Sequence, residues 1–427
     1  MRNVGAYLCN EMKQIVIIYT ILLILITMAY KLYFFLFLIF IVSCTTKQHQ
    51  HSLTLDRGYY TIYLDENREQ SIPLSALFKN VRTIILETSD ECVIGRLTDI
   101  QVFDGFIFIL DSSSAKSLFV FNTDGKFIRK IGRFGQGPGD YNSIYDFSLD
   151  TENRIIFLCD NRNRIHKYYF DGTYIHTIKI QEPDSEAYRI QFYGGRLYLS
   201  QLWWKKAKDD LLLLEIDAND GKILSRLLPV KYNKGWNEDY SINYSRFFMS
   251  RLNNPPRYSE VFMDYIFTIY NEAYPFIELK SNFLTTETDI ESFRGTDGIR
   301  RVNAENLLNS SKLYHVHSFI ENDNFILFRI GRSQLVVLIE KKTGNVLLAN
   351  YLNNDLIFKK DQIGKLGRFM FSDSKGAYEV FNPQYDGFIN LLKSIKENET
   401  VSDLDKMNQL MNLDEESNPV IFYYEFK

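Results

Sequence analysis

His315 and His317 stand two positions apart in the apolar run from Tyr314 to Ile320. On a strand both rings would point to one face and could offer two ligands to a metal ion. Two ligands do not complete a site. The remaining histidines (His49, His51, His166 and His176) sit at no recognisable ligand spacing. We therefore expect His315 and His317 to be structural and no resident metal. The segment Gly132–Asp140, GRFGQGPGD, has glycines where a phosphate loop would, but Pro138 and Gly139 replace its Lys and Ser/Thr. Asp140 would repel a phosphate. The segment reads as a tight connection, with glycine supplying positive φ and Pro138 fixing the bend. No GxSxG, HExxH or CxxC pattern occurs, no cofactor is expected, and no acid–base pair can be chosen from sequence.

Binding chemistry has better candidates. Trp203-Trp204-Lys205-Lys206 follows a strand-like run and precedes another, with Lys208 close by. Two indoles beside cations would suit stacking on sugar rings or covering a partner's surface. The competing reading folds the indoles back over the neighbouring sheet, since Trp is usually mostly buried. The stretch Tyr232–Tyr258 carries Trp236, Tyr240, Tyr244, Phe247 and Phe248, and reads either as a long functional loop or as a local aromatic cap.

These segments hang on a repeat. Phe106–Gly125 and Ile155–Gly172 share one plan: an apolar strand ending in Asp, a polar turn, a second apolar strand, and an Asp-Gly hairpin. Asp111 and Asp160 are 49 residues apart, Gly125 and Gly172 are 47 apart, and Gly221 follows Gly172 by 49. Such a period is the signature of propeller blades. The recurrence of Asp111 and Asp160 argues that both accept hydrogen bonds from turn amides. Phe106–Leu110, Ile155–Leu158 and Leu211–Leu214 are apolar at consecutive positions, as strands covered on both faces are.

We expect blades over Ile94–Ile131, Ser143–Ile180, Tyr188–Val230, Tyr258–Phe283 and Tyr314–Tyr351. A sixth would combine Arg368–Phe371 and Ala377–Phe381 with the terminal strands Val81–Thr88 and Pro419–Phe426. Joining the chain ends in one sheet would close the ring and remove its open edges. Residues 385–412 read as accessory helices, with Leu404, Met407, Leu410 and Met411 on one face.

Residues 1–43 form a targeting region. Its apolar runs end at Ile41-Val42-Ser43-Cys44, which resembles a bacterial lipobox with Cys44 as the lipid acceptor. A compact signal would begin at Met28, which we expect to be the natural start. An uncleaved anchor over Ile15–Val42 is the alternative. Residues 44–74 would then be a lipid-anchored tether and lead-in, and 75–427 the propeller. Of four cysteines, Cys92 and Cys159 remain in the folded part, with a disulfide between them left open. The formal net charge of −4 argues against a nucleic-acid binder needing a basic stripe.

The block IGRFGQGPGDY (Ile131–Tyr141), the strand IILETSD (Ile84–Asp90), the Asp-Gly hairpins and the terminal NPVIFYYEF (Asn418–Phe426) carry a resemblance. The chain resembles the six-bladed β-propeller lipoproteins of Bacteroidetes, related in blade pattern to NHL-repeat propellers. The resemblance covers roughly residues 75–427, more loosely over 231–312, and transfers no catalytic residues. It implies an all-β six-bladed propeller in the cell envelope, held to the membrane by its N-terminal lipid, with the periplasmic side favoured. The expected role is a binding or scaffold module for an envelope protein or a glycan. The alternative is a lyase or hydrolase with its active site at the central channel.

Overall fold

Strands that are apolar at every position need cover on both faces, and the architecture supplies it. In Phe106–Asp111 and Ile155–Asp160 all but the first residue are buried, and in Phe325–Ile330 all six are. The computed structural model describes residues 51–427 apart from 53, 57, 161–162, 182–186, 202–209, 236–238, 241–245, 249–253, 295–300, 332–334, 358–368, 384–408, 411 and 415.

Six antiparallel sheets form a six-bladed β-propeller. Blade 1 comprises Asp99–Phe103, Phe106–Asp111, Ser117–Asn122 and Phe127–Ile131. Blade 2 comprises Ile144–Asp150, Ile155–Asp160, Arg164–Tyr169 and Tyr174–Lys179. Blade 3 comprises Ala187–Tyr193, Arg196–Gln201, Leu211–Asp217 and Ile223–Pro229. Blade 4 is built from Arg246–Phe248, Arg257–Ser259, Tyr265–Tyr270 and Glu272–Lys280. Blade 5 runs Val316–Glu321, Phe325–Ile330, Leu335–Glu340 and Asn345–Asn353.

Blade 6 is shared by the two chain ends. Phe369–Ser372, Gly376–Phe381 and the C-terminal Val420–Phe426 are completed by Phe78–Ile85 as the outer strand. The expected closing pair is thus present, in register from Val420 opposite Ile85 to Tyr424 opposite Val81. First strands of successive blades touch one another in a closed cycle around the axis.

Six apolar cores lie between successive blades. One joins blades 1 and 2 through Phe108, Leu110, Ile156 and Phe170; another joins blades 6 and 1 through Ile421, Tyr378, Ile107 and Phe119. The hairpin glycines explain the period. Gly125 and Gly221 adopt φ of +83° and +76°, and a Cβ would lie 2.0 Å from the Ile85 carbonyl oxygen and 2.5 Å from Ile178. Each hairpin therefore presses on the outer strand of the blade before it, and only glycine fits there.

Two segments depart from the sequence reading. The inner strand of blade 4, Arg246–Phe248, lies inside Tyr232–Tyr258, which reads in sequence as a long loop or an aromatic cap. The lead-in ahead of residue 75 is built into the ring: Tyr59–Tyr63 pairs parallel with the outer strand of blade 4, and Glu69–Pro73 with that of blade 5. Both cover an otherwise open sheet edge. The expected accessory helices over 385–412 lie largely outside the described residues; Gln409 and Leu410 are helical, and Leu410 is buried between blades 5 and 6. Two short helices that the sequence did not announce, Glu287–Ser292 and Ala304–Asn309, follow blade 4. Among the described residues no helix is long and apolar enough to cross a membrane.

Phe78 tests the closure. Its buried ring stacks on Phe426 at 5.5 Å and meets Phe369, Tyr424 and Phe325 at 5.6, 5.5 and 6.5 Å. Replacing it with Ala should cost about 3–5 kcal/mol of unfolding free energy in urea titrations. The exposed Leu224→Ala should stay within about 0.5 kcal/mol of the parent. A Phe78→Ala loss under about 1 kcal/mol would mean that the closing strand is not part of the cooperative fold.

Candidate functional site

A propeller's inner strands leave one edge unpaired, and that edge faces the channel. Its backbone groups need partners, and side chains from the adjoining blade supply them. The Asp146 carboxylate accepts from the Ile190 amide at 2.9 Å, and Ser148 Oγ from the Phe192 amide at 2.8 Å. Gln101 Nε2 donates to the Phe147 carbonyl at 3.0 Å, and Arg189 Nη1 to the Tyr145 carbonyl at 3.1 Å.

Register places these polar residues in two rings. Asp99, Asp146, Arg189 and His317 each oppose the penultimate residue of their blade's second strand: Leu110, Cys159, Ser200 and Arg329. They therefore lie at one height, at the channel end where the second strands finish. One step further along, Gln101, Ser148, Gln191, Ile320 and Phe371 oppose the third residue of the corresponding strand. The upper ring is a collar of two carboxylates, a guanidinium and an imidazole.

Asp146 is the most perturbed member. Burial raises its carboxyl to about 7, with the Asp99 charge acting in the same direction and Arg189, 3.8 Å away, opposing it. Burial likewise pushes the neighbouring Cys159 thiol up, so it stays protonated. Cys159 and Cys92 are both free thiols, which closes the disulfide alternative.

The residues singled out from sequence are distributed as follows. His315 and His317 stack with ring centroids 4.9 Å apart, as their spacing requires. Both ring nitrogens of His317 are held by protein, at 2.7 Å from the Gly331 carbonyl and 3.1 Å from Ser318 Oγ. Among the described residues no cluster of three or more ligating side chains forms. Trp203, Trp204, Lys205, Lys206, Trp236 and Cys44 lie outside the described residues. Tyr240 belongs to the short strand Asp239–Tyr240, which pairs parallel with Arg301–Val302.

Asp111 acts as expected: it is fully buried and accepts from the amides of Gly95, Arg96, Ser113 and Ser114 at 2.8–3.1 Å. Asp160, likewise buried, holds the side chains of Arg164, Nε at 2.8 Å, and His166, Nε2 at 3.2 Å, and the turn residues 161–162 that follow it lie outside the described residues. In the Gly132–Asp140 connection, Asp140 accepts from the Gly137 amide at 2.8 Å and from Arg133 at 2.9 Å, as a structural turn would.

The opposite end of the ring, where the hairpins turn, carries cavities that the sequence did not reveal. One of about 560 Å³ lies between blades 2 and 3, lined by Asp150, Glu152, Lys167 and Asn219. A second, of about 320 Å³, lies between blades 1 and 2, lined by Phe106, Arg129, Arg154 and Asp171. They share Asn153 and Tyr169, and the Tyr169 ring between them is 47% exposed. A third cavity, of about 520 Å³, lies at the other end, beside the start of the third strand of blade 4, and contains Lys234, Asp264 and Glu278. Burial raises the Asp264 carboxyl, whereas Glu278, despite its own burial, is held low by Tyr265, Lys280 and Thr61.

The polar alternation Asp146, Ser148, Asp150 within an otherwise apolar strand was the available signal for the channel wall. Nothing in sequence marks Tyr169, because its role depends on which blade edges adjoin.

Asp146 yields a pH prediction. Its folded pKa of about 7 lies above the ordinary 3.8, so the fold holds a proton that the unfolded chain has released. That stability is full below about pH 4 and is lost as pH rises through about 7. The melting temperature of the parent should therefore fall relative to Asp146→Asn between pH 5 and pH 8. Parallel pH dependences would show that Asp146 titrates as an ordinary carboxylate.

Among solved structures, a Bacteroides fragilis protein described as exported is similar over 86% of this chain and 99% of its own, at 16% identity and a TM-score of 0.63. That likeness concerns the fold. A DUF4221-family member from Bacteroides vulgatus matches over 82% of this chain and 97% of its own, at 11% identity and a TM-score of 0.40. No curated protein matches the sequence. Residues 59–425 match the family described as domain of unknown function (DUF4934), starting at the first strand that caps blade 4. The chain belongs to the DUF4934 family.

Proposed function

We propose that this chain is an envelope-located binding module that takes a polar, ring-bearing ligand such as a glycan on the hairpin face of blades 1–3. The observation that carries this reading is the continuous pair of cavities sharing Tyr169 and Asn153. An exposed aromatic ring flanked by amide, carboxylate and cationic groups offers a stacking face together with directional hydrogen bonds. Lys167 is already placed, donating to the Ala218 carbonyl at 3.1 Å and to Asn219 at 3.3 Å. Phe157 and Phe192, stacked at 5.0 Å, form a rigid floor. Envelope location rests on the lipobox-like Ile41–Cys44, with Cys44 lipidated and the propeller facing the periplasm. The B. fragilis protein of similar fold, described as exported, is in keeping with it.

The collar of Asp99, Asp146, Arg189 and His317 favours a second reading, a lyase or hydrolase at the channel. Against it, Asp146, Arg189 and His317 spend hydrogen bonds on backbone of the neighbouring strands. A group occupied in holding the wall is poorly placed to exchange protons with a substrate.

A glycan-binding screen with the soluble propeller should return ligands whose affinity falls at least tenfold in Tyr169→Ala. Unchanged affinity would remove this groove from consideration. Separately, Cys44→Ala should move the protein from the membrane to the soluble fraction, and retention would point to the transmembrane alternative.

A further inference from the structure

A cavity of about 650 Å³ opens on the hairpin side at the seam between blades 6 and 1. Arg82, Tyr378 and Tyr423 form one wall, the turns at Asp104 and Lys375 another, and Asn254 also lines it. The volume lies within the range of small-molecule sites.

Its carboxylates are engaged. Asp104 is ion-paired with Arg154. Asp373 accepts from the Lys375 and Gly376 amides at 2.7 and 2.8 Å, and from the Tyr378 hydroxyl at 2.9 Å. Its cations are not: among the described residues, neither Arg82 nor Lys375 has a carboxylate within 4.0 Å. The lining thus holds two cations and two carboxylates, and both carboxylates have partners, Asp104 an ion pair and Asp373 three hydrogen bonds, whereas among the described residues neither cation is ion-paired. Arg82 sits 5.6 Å from the centre of the Tyr423 ring, and the Tyr378 and Tyr423 rings meet as a corner, 4.8 Å apart at 42°.

We propose that this cavity binds an acidic sugar, its carboxylate held by Arg82 and Lys375 and its ring against Tyr423. The guanidinium presents paired N–H donors that match a carboxylate, and the phenol ring supplies an apolar face for the sugar's C–H surface. The site is distinct from the Tyr169 groove and stands without it. It exists only when the ring is closed, because Arg82 comes from the N-terminal outer strand and Tyr423 from the C-terminal strand. The ligand therefore binds the folded state alone and must raise the melting temperature by mass action.

Glucuronate, glucose and acetate are the probes, read by calorimetry and thermal shift on the soluble propeller. Glucuronate should bind and raise the melting temperature; glucose and acetate should do so at least tenfold more weakly. Arg82→Gln should lower glucuronate affinity at least tenfold while leaving the ligand-free melting temperature and circular dichroism unchanged. Leu224→Ala, on the outer strand of blade 3, should bind like the parent. Should Arg82→Gln fail to fold, Lys375→Gln, on an exposed turn, should still lower affinity several-fold. No binding of glucuronate, equal binding of glucose or acetate, or undiminished binding by the folded Arg82→Gln variant would each overturn the proposal.

Discussion

Every sheet in this protein buries its two apolar faces against its neighbours, so no blade is stable without the blades on either side. Six interblade cores result, and the last of them depends on strands from opposite ends of the chain. Phe78, Tyr424 and Phe426 bring those ends together in one aromatic cluster. Closing so long a loop carries an entropic cost that grows only slowly with length, whereas the buried area gained at the seam is that of a full blade interface. The outer strands of blades 4 and 5 receive further cover from the N-terminal segment, so three successive blades are fastened by one stretch of chain.

Closure leaves a second requirement at the axis. Inner strands crowd together without pairing, and their edge amides and carbonyls are met by side chains reaching across from the next blade. The collar residues are thus polar for a structural reason before any functional one. Asp146 shows the tension: the same burial that aims it at the Ile190 amide also raises its carboxyl to about 7. Grooves on the hairpin face are freer of such duties, which is why ligand recognition is assigned there.

Much of this was legible in the residues. The Asp-Gly hairpins marked blades 1 to 3, since each glycine takes the positive φ its turn needs, and those of blades 1 and 3 also let the turn press on the preceding blade. The terminal strands Val81–Thr88 and Pro419–Phe426 were recognisable as closing partners because only strand pairing uses two such apolar runs at opposite chain ends. Blade 4 was harder: its inner strand, Arg246–Phe248, spans three described residues in aromatic-rich sequence with neither a long apolar run nor an Asp-Gly hairpin to mark it. Tyr59–Tyr63 was unreadable for another reason. It pairs parallel with a strand more than two hundred residues away, and nothing local specifies that partner.

Sequence by itself determined the unit: which segments are strands, that both faces are covered, where hairpins turn, and that Asp111 serves its turn. Those follow from local patterns of apolarity and backbone freedom, which a chain carries in order. Tertiary structure alone decided what meets at the seams. Tyr169 with Asn153, Arg82 with Tyr423, and Asp146 with Arg189 are adjacent because blades are arranged around an axis. Adjacency between blade edges is set by ring geometry and register, and neither is written at any single position in the chain.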